Sequence, residues 1–303
     1  MFNAGLVIGV VIAIGFSCFL NLLVVIGMLK KSTPLSLRDI LLVSLSVADF
    51  CQTGLGYTTE LYGHLSDDYS PIFLCRASGF AVTFTALVAI THLMALAVER
   101  YLSLVHALKA HEFFSEPKRA LYFIIPAWIW GLFWSGAPLL KWGGYEREPH
   151  APHRCSVVLA EKTPDVLSYS YGLLIACFAF PVLVITWCCF RVQRELKGMT
   201  DRSKEIAGQE SAITAATQKA EKQHFIMICC VVIAFFIAWT PYAGCVVYFT
   251  LVGNLPANLM STSAFFAKFS VLANPIIYAI FYKDFRRSVK AMLCGDSAVA
   301  PSE

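Results

Sequence analysis

Residues 6–29 read Leu-Val-Ile-Gly-Val-Val-Ile-Ala-Ile-Gly-Phe-Ser-Cys-Phe-Leu-Asn-Leu-Leu-Val-Val-Ile-Gly-Met-Leu, a run without one Asp, Glu, Lys or Arg. At about 1.5 Å per residue, a helix of about 20 such residues crosses a hydrocarbon core of roughly 30 Å. No charged segment precedes the run and no small-residue cleavage pattern follows it, so it reads as a membrane span, not a signal peptide. The tail ahead of it is expected to be short and extracellular.

The same test applied along the chain marks seven apolar windows, 5–29, 37–62, 75–105, 120–140, 166–190, 224–250 and 257–281. Composition agrees, with 57% hydrophobic and 15% charged residues, where a soluble domain carries about 25% charge. The expected fold is an all-α membrane protein, a seven-transmembrane helix bundle over a single domain, 1–303. The second, third and seventh windows carry polar residues along their length, as helices facing a bundle interior do.

The segments after the odd-numbered spans hold 18 Lys and Arg against five on the opposite side. By the positive-inside rule the N-terminus is outside and the C-terminus cytoplasmic, in a multi-pass protein of the cell membrane. The polar stretch Lys197 to Gln223 is expected to extend its flanking helices into the cytoplasm. Residues 282–294 alternate basic and apolar positions at helical spacing, predicting a short amphipathic helix on the membrane surface, contacting lipid. Cys294 closes it as a palmitoylation candidate, with an unmodified thiol the equal alternative.

Of eleven cysteines, Cys18, Cys177, Cys188, Cys189, Cys229, Cys230 and Cys245 lie inside apolar runs and read as small core residues. The histidines at 64, 92, 106, 111, 150, 153 and 224 are scattered. No metal-ligand spacing, nucleotide-binding glycine loop or nucleophile elbow appears, so neither a metal site, nor hydrolytic catalysis, nor a nucleic-acid partner is expected.

The spans carry Asn21, then Leu45-Ser46-Val47-Ala48-Asp49, then Cys75 and Glu99-Arg100-Tyr101 around the third span, then Trp128 and Pro181. Ala238-Trp239-Thr240-Pro241 follows in the sixth and Asn274-Pro275-Ile276-Ile277-Tyr278 in the seventh, with Phe285-Arg286 behind it. This ordered set covers essentially the whole chain and resembles the rhodopsin-like G protein-coupled receptors. Ala238 departs from the cysteine common before that tryptophan. Lys268 lies six residues before Asn274, the spacing at which opsins carry their retinal-binding lysine, so the chain is similar to opsins.

The resemblance implies retinal, 11-cis in the dark, held on Lys268 as a Schiff base. An amine in an apolar pocket can attack an aldehyde, and a bare ammonium at that depth costs several kcal/mol. A protonated linkage then needs an anion. Three residues after Cys75, where vertebrate visual opsins carry a glutamate, stands Ser78. Glu60, eleven residues after Asp49, is about three turns further out on the second span; opsins of the box-jellyfish type place an acid there, which makes the chain similar to them. Glu148 is the second candidate, in a loop one residue longer than the family's usual spacing: counting forward from Tyr145 lands on Glu148, counting back from Cys155 on Pro149. The plain alternative for Glu60 is a helix-end glutamate at the headgroups.

Trp239 and Tyr242, one turn apart, are expected to pack on the chromophore, although core aromatics would look the same. Pro241 predicts a hinge in the sixth span. The resemblance makes Glu99, Arg100 and Tyr101 the switch, Glu99 holding Arg100 at rest, with Asn274, Pro275 and Tyr278 as its partner. Asn21, Ser46, Asp49 and Asn274 read as a polar network. Cys75 and Cys155 would tie the third span to a loop that lids the pocket.

The implied function is a light-activated receptor coupling to a heterotrimeric G protein, which the similarity to box-jellyfish-type opsins makes the stimulatory, cyclic AMP-raising class, with arrestin and a receptor kinase as further partners. A retinal photoisomerase, a receptor that pairs Lys268 with a diffusible anion and a retinal-driven pump or channel are the alternatives.

Overall fold

The computed structural model describes residues 4–31, 33–65, 71–148, 151–158, 163–205, 212–252 and 256–294. The first span is α1 (Ala4–Leu29). The second is α2 (Leu37–Cys51), a π turn (Gln52–Tyr57) and α3 (Thr58–Leu65). The third, α4 (Ile72–Val105), is followed by a short α5 (Ala107–Phe114), and the fourth is α6 (Leu121–Gly136). The fifth comprises α7 (Pro164–Leu173), a π turn (Leu174–Ala179) and α8 (Phe180–Glu205); the sixth is α9 (Ala212–Val252). The seventh is α10 (Ala257–Ala267) and α11 (Ser270–Phe281), with α12 (Lys283–Cys294) behind it. The result is a seven-span bundle. The ends of α8 and α9 overlap the polar stretch expected to lengthen them.

Among the described residues, six spans are long and apolar enough to cross a membrane as they stand. The seventh was expected as one helix over 257–281, but it breaks at Lys268 and Phe269. There Phe269 N–H donates to the Phe266 carbonyl and Leu272 N–H to the Phe269 carbonyl, both at 3.1 Å. These i→i+3 bonds tighten the turn and set Lys268 at the joint of two helices.

Helix α2 opens on a reciprocal cap: Asp39 N–H donates to Ser36 Oγ (3.2 Å) and Ser36 N–H to Asp39 Oδ2 (2.8 Å). Asp39 also accepts from Lys31 Nζ at 2.9 Å and from the Tyr282 hydroxyl, joining the inner ends of the first, second and seventh spans. The π turn in the second span passes so close to α4 that a Cβ on Gly56 would lie 2.4 Å from Val82 Cγ2. Pro181 follows the second π turn; its ring removes an N–H from the ladder, and the wide turn absorbs the mismatch.

Helix α4 packs against the second, fourth and fifth spans. Leu41, Leu45, Leu93, Leu96, Met227 and Tyr278 are fully buried in the inner half of the bundle. Ile12 and Phe19 on α1, Ile129 and Phe133 on α6, Leu183 on α8 and Ile233 on α9 point outward. Large apolar side chains facing away from the bundle suit a lipid solvent, whereas water would penalise them.

The loop after α6 folds into a hairpin, β1 (Tyr145–Glu148) and β2 (Ala151–Val157). Arg147 faces Cys155, but Glu148 faces Ala151, so the register slips between Arg147 and Glu148. Cys155 is bonded to Cys75 with Cα atoms 5.2 Å apart. A Cβ on Gly79 would stand 3.1 Å from the Cys155 carbonyl, which shows how tightly the hairpin lies on α4.

Candidate functional site

A cavity of about 200 Å³ lies between the second, third, fifth, sixth and seventh spans under the hairpin. Its lining is mostly apolar and aromatic, with Val82, Ala86 and Leu87 from α4, Phe178 from the fifth span, and Phe235, Trp239 and Tyr242 from α9. Among the described residues that line it, three are charged: Lys268, Glu148 and Arg154.

Lys268 reaches the cavity from the joint of α10 and α11, its Nζ 4.9 Å from the centroid of the Tyr57 ring. A cation over an aromatic face is attracted by the ring quadrupole. Tyr57 closes the π turn and its hydroxyl accepts from Gln52 Nε2 at 2.8 Å. Ser78, at the place of the missing glutamate, donates its hydroxyl to the Gly56 carbonyl at 2.8 Å and lines the same cavity.

Glu148 is buried and paired with Arg154. Glu60 stands on α3, and its side chain lies outside the described residues, as does that of Cys294. Trp239 and Tyr242 are ring neighbours with centroids 6.3 Å apart. The Trp239 indole N–H donates to Ser270 Oγ at 3.0 Å, tying the sixth span to the first residue of α11. Below the lid, the Tyr145 hydroxyl donates to the Ser135 carbonyl at 2.9 Å, and burial pushes that phenol well above its usual range.

At the inner end, Glu99 accepts from Arg38 Nε (3.2 Å), Arg38 Nη2 (2.9 Å) and Ser103 Oγ (3.0 Å). Arg100 comes no nearer than 4.0 Å to Glu99 and instead donates to Glu221 of α9. Glu99 therefore keeps a long ion pair to Arg100, as expected, while its hydrogen bonds go to Arg38 and Ser103. Asn274 Nδ2 donates to Asp49 Oδ2 at 2.7 Å, whereas Asn21 Nδ2 goes to the Ser17 and Val271 carbonyls, both at 3.0 Å. Ser46 Oγ is buried with no hydrogen-bond partner among the described residues, and Tyr278 is fully buried. The polar network thus has two branches, each ending on the seventh span.

Sequence reasoning missed Arg154, Tyr57, Ser270, Arg38 and Glu221. Arg154 adjoins Cys155 and so had a signal, the lid itself. Arg38 and Glu221 look like ordinary charges at helix ends, and Tyr57 and Ser270 like unremarkable members of their spans. Among the described residues, no group of three His, Cys, Asp or Glu could hold a metal ion.

Residues 20–278 match the family model described as 7 transmembrane receptor (rhodopsin family). A rhodopsin of Lethenteron camtschaticum is 31% identical over 291 residues, 93% of this chain and 78% of that protein. Parapinopsin of Ictalurus punctatus is 28% identical over 292 residues, 95% of this chain and 82% of that protein. The crystal structure of squid rhodopsin superposes with a TM-score of 0.85 at 21% identity, covering 98% of this chain and 88% of that one, a likeness of fold.

Proposed function

The chain belongs to the rhodopsin family of seven-transmembrane receptors, and from that premise we propose that it is a light-activated receptor whose cavity holds retinal on Lys268. The observation that carries this is the placement of Lys268 in the wall of a mostly apolar cavity shared with Trp239 and Tyr242. An apolar aldehyde matches that lining, and a primary amine at its wall is the group that can bind it covalently. Bound there as a Schiff base, retinal, 11-cis in the dark, would supply absorption of visible light and a light-driven change of shape.

The chain's own residues do the rest. The hairpin, tied to α4 through Cys75 and Cys155, shields the Lys268 nitrogen from water. Trp239 is held to Ser270, so a push on its ring loads the contact between the sixth and seventh spans. Pro241 lies two residues further along α9 and gives that helix a place to bend. Motion of the inner half of α9 carries Glu221 away from Arg100 and opens the bundle to a heterotrimeric G protein, with Tyr101, Asn274, Pro275 and Tyr278 in the moving region.

Charge balance supports Glu60 as the anion for a protonated Lys268 linkage. Glu148 already faces Arg154, so the pair adds little net charge to the cavity. An acid at Glu60 supports membership of the box-jellyfish type of cnidarian opsins, and with it coupling to the stimulatory G protein and later binding of receptor kinase and arrestin. In this reading 1–303 is a single receptor domain with its N-terminus outside and its C-terminus, including α12 and Cys294 as a palmitoylation site, in the cytoplasm.

The test is to reconstitute the protein with retinal in the dark, reduce with borohydride, and map the adduct by peptide mass. Label on Lys268, together with light-stimulated nucleotide exchange on a G protein, is the expected result. Retention of a retinal pigment by Lys268→Ala, or exchange that ignores light, would overturn it. Light-driven cyclic AMP in cells reads the stimulatory class separately.

A further inference from the structure

The inner ends of the second, third and sixth spans bring together two arginines and two glutamates. Arg38, in the first turn of α2, grips both carboxylate oxygens of Glu99 with its guanidinium fork, and Ser103 adds a third donor. Arg100 is buried almost completely, and its Nε and Nη2 find no hydrogen-bond partner among the described residues. Its Nη1 donates to Glu221, whose side chain is 31% exposed. The two guanidinium groups also repel each other across Glu99.

We propose that Arg38 is a positioning residue of the switch: by taking the hydrogen bonds of Glu99 it leaves Arg100 only a long, 4.0 Å ion pair there, so that the one hydrogen bond holding Arg100 at rest comes from α9, through Glu221. The inference rests on reading the chain as a receptor that opens its inner face. A buried guanidinium with two idle donors is costly, and it tolerates that state only while Glu221 is near. Once α9 moves away, Arg100 cannot fall back onto Glu99, because Arg38 is there, and so it turns to whatever acceptor enters the opening. Without Arg38, Glu99 needs only a small rotation from its 4.0 Å separation to recapture Arg100, and the resting state is then held whether or not Glu221 is present.

A double-variant cycle reads this directly. Dark nucleotide exchange on a G protein and backbone hydrogen exchange over residues 219–232 are measured for wild type, E221Q, R38Q and R38Q/E221Q, each checked for pigment formation. E221Q is expected to raise both readouts about fivefold, the size of a lost contact near 1 kcal/mol. Adding R38Q should return both to within about twofold of wild type. Arg38→Lys in the E221Q background keeps a cation on Glu99 and should leave the rise in place, which a merely structural loss at position 38 would not do. Additive or larger increases in R38Q/E221Q, or equal effects of Gln and Lys at position 38, would overturn the proposal. If wild type shows no light-stimulated exchange, the receptor reading fails, while hydrogen exchange still decides the role of Arg38.

Discussion

Glu148 and Arg154 form an ion pair inside the wall of the cavity that Lys268 enters, where the register of the hairpin slips. Both are largely shielded from solvent, with side-chain exposures of 8% and 12%. Breaking a buried pair by removing one member typically costs about 3–5 kcal/mol. Glu148 therefore has a partner to satisfy before it can serve a protonated nitrogen on Lys268.

That relationship sets how the anion must be sought. Glu148→Gln alone takes from Arg154 the carboxylate it pairs with beside the cavity, so a drop in pigment yield is expected whatever Glu148 does for Lys268. The charge-neutral pair Glu148→Gln/Arg154→Gln removes both and should keep a visible absorption band. Glu60→Gln should lose that band to the ultraviolet near neutral pH, since a cation without its anion in low dielectric gives up its proton. Absorption spectra of the three variants decide between the acids: a band that survives Glu60→Gln but vanishes in the double variant would make Glu148 the counterion.

Gly56 is a position where any side chain is expected to cost stability. A Cβ there would meet Val82 Cγ2 at 2.4 Å, and Val82 lines the cavity. Gly56→Val should destabilise the folded protein by about 1–3 kcal/mol through overpacking, seen as a lower thermal midpoint in detergent. Gly56→Val/Val82→Ala should recover part of the loss, and a single variant as stable as wild type would show that the second span can shift without penalty.

The spans were legible because an apolar run of sufficient length is a local property of the chain, and a bilayer allows few structures besides a helix. The place of Lys268 at the cavity wall was legible because its position is counted from Asn274 on the same span. Partnerships between spans were not. Arg38 reads as a charge at a helix end, yet it grips Glu99, 61 positions away. The break at Lys268 and Phe269 carries no proline or glycine, so nothing in the one-dimensional pattern announces it. Arg154 was overlooked because the register of a hairpin, which decides whether it meets Glu148, depends on where the strand slips.

Loss of the Cys75–Cys155 bond should show first at the lid. Arg154, Ser156 and Val157 flank Cys155 and line the cavity, so loosening that strand exposes the Lys268 nitrogen to water. Removing a native disulfide typically costs about 2–5 kcal/mol. In Cys155→Ser, dark bleaching by hydroxylamine is expected to speed up and pigment yield to fall, whereas Cys18→Ala, on an outer span far from the lid, should leave the bleaching rate alone. Equal bleaching in Cys155→Ser and wild type would mean that packing against Gly79 holds the hairpin without the bond.

Ser270 offers the sharpest test of how the cavity is coupled to the bundle, because its hydroxyl is the acceptor for the Trp239 indole N–H at 3.0 Å. Ser270→Ala leaves that donor in an apolar site, costing about 1–3 kcal/mol in the state where Trp239 is docked against the seventh span. If the open state frees the indole, the penalty falls on the resting state alone and the balance moves toward opening by about fivefold to a hundredfold. Dark nucleotide exchange should therefore rise in Ser270→Ala. Trp239→Phe removes the donor itself, so Ser270→Ala should add nothing in that background. Independent, additive effects of the two substitutions would show that the hydrogen bond is not what links the cavity to the movement of the sixth span.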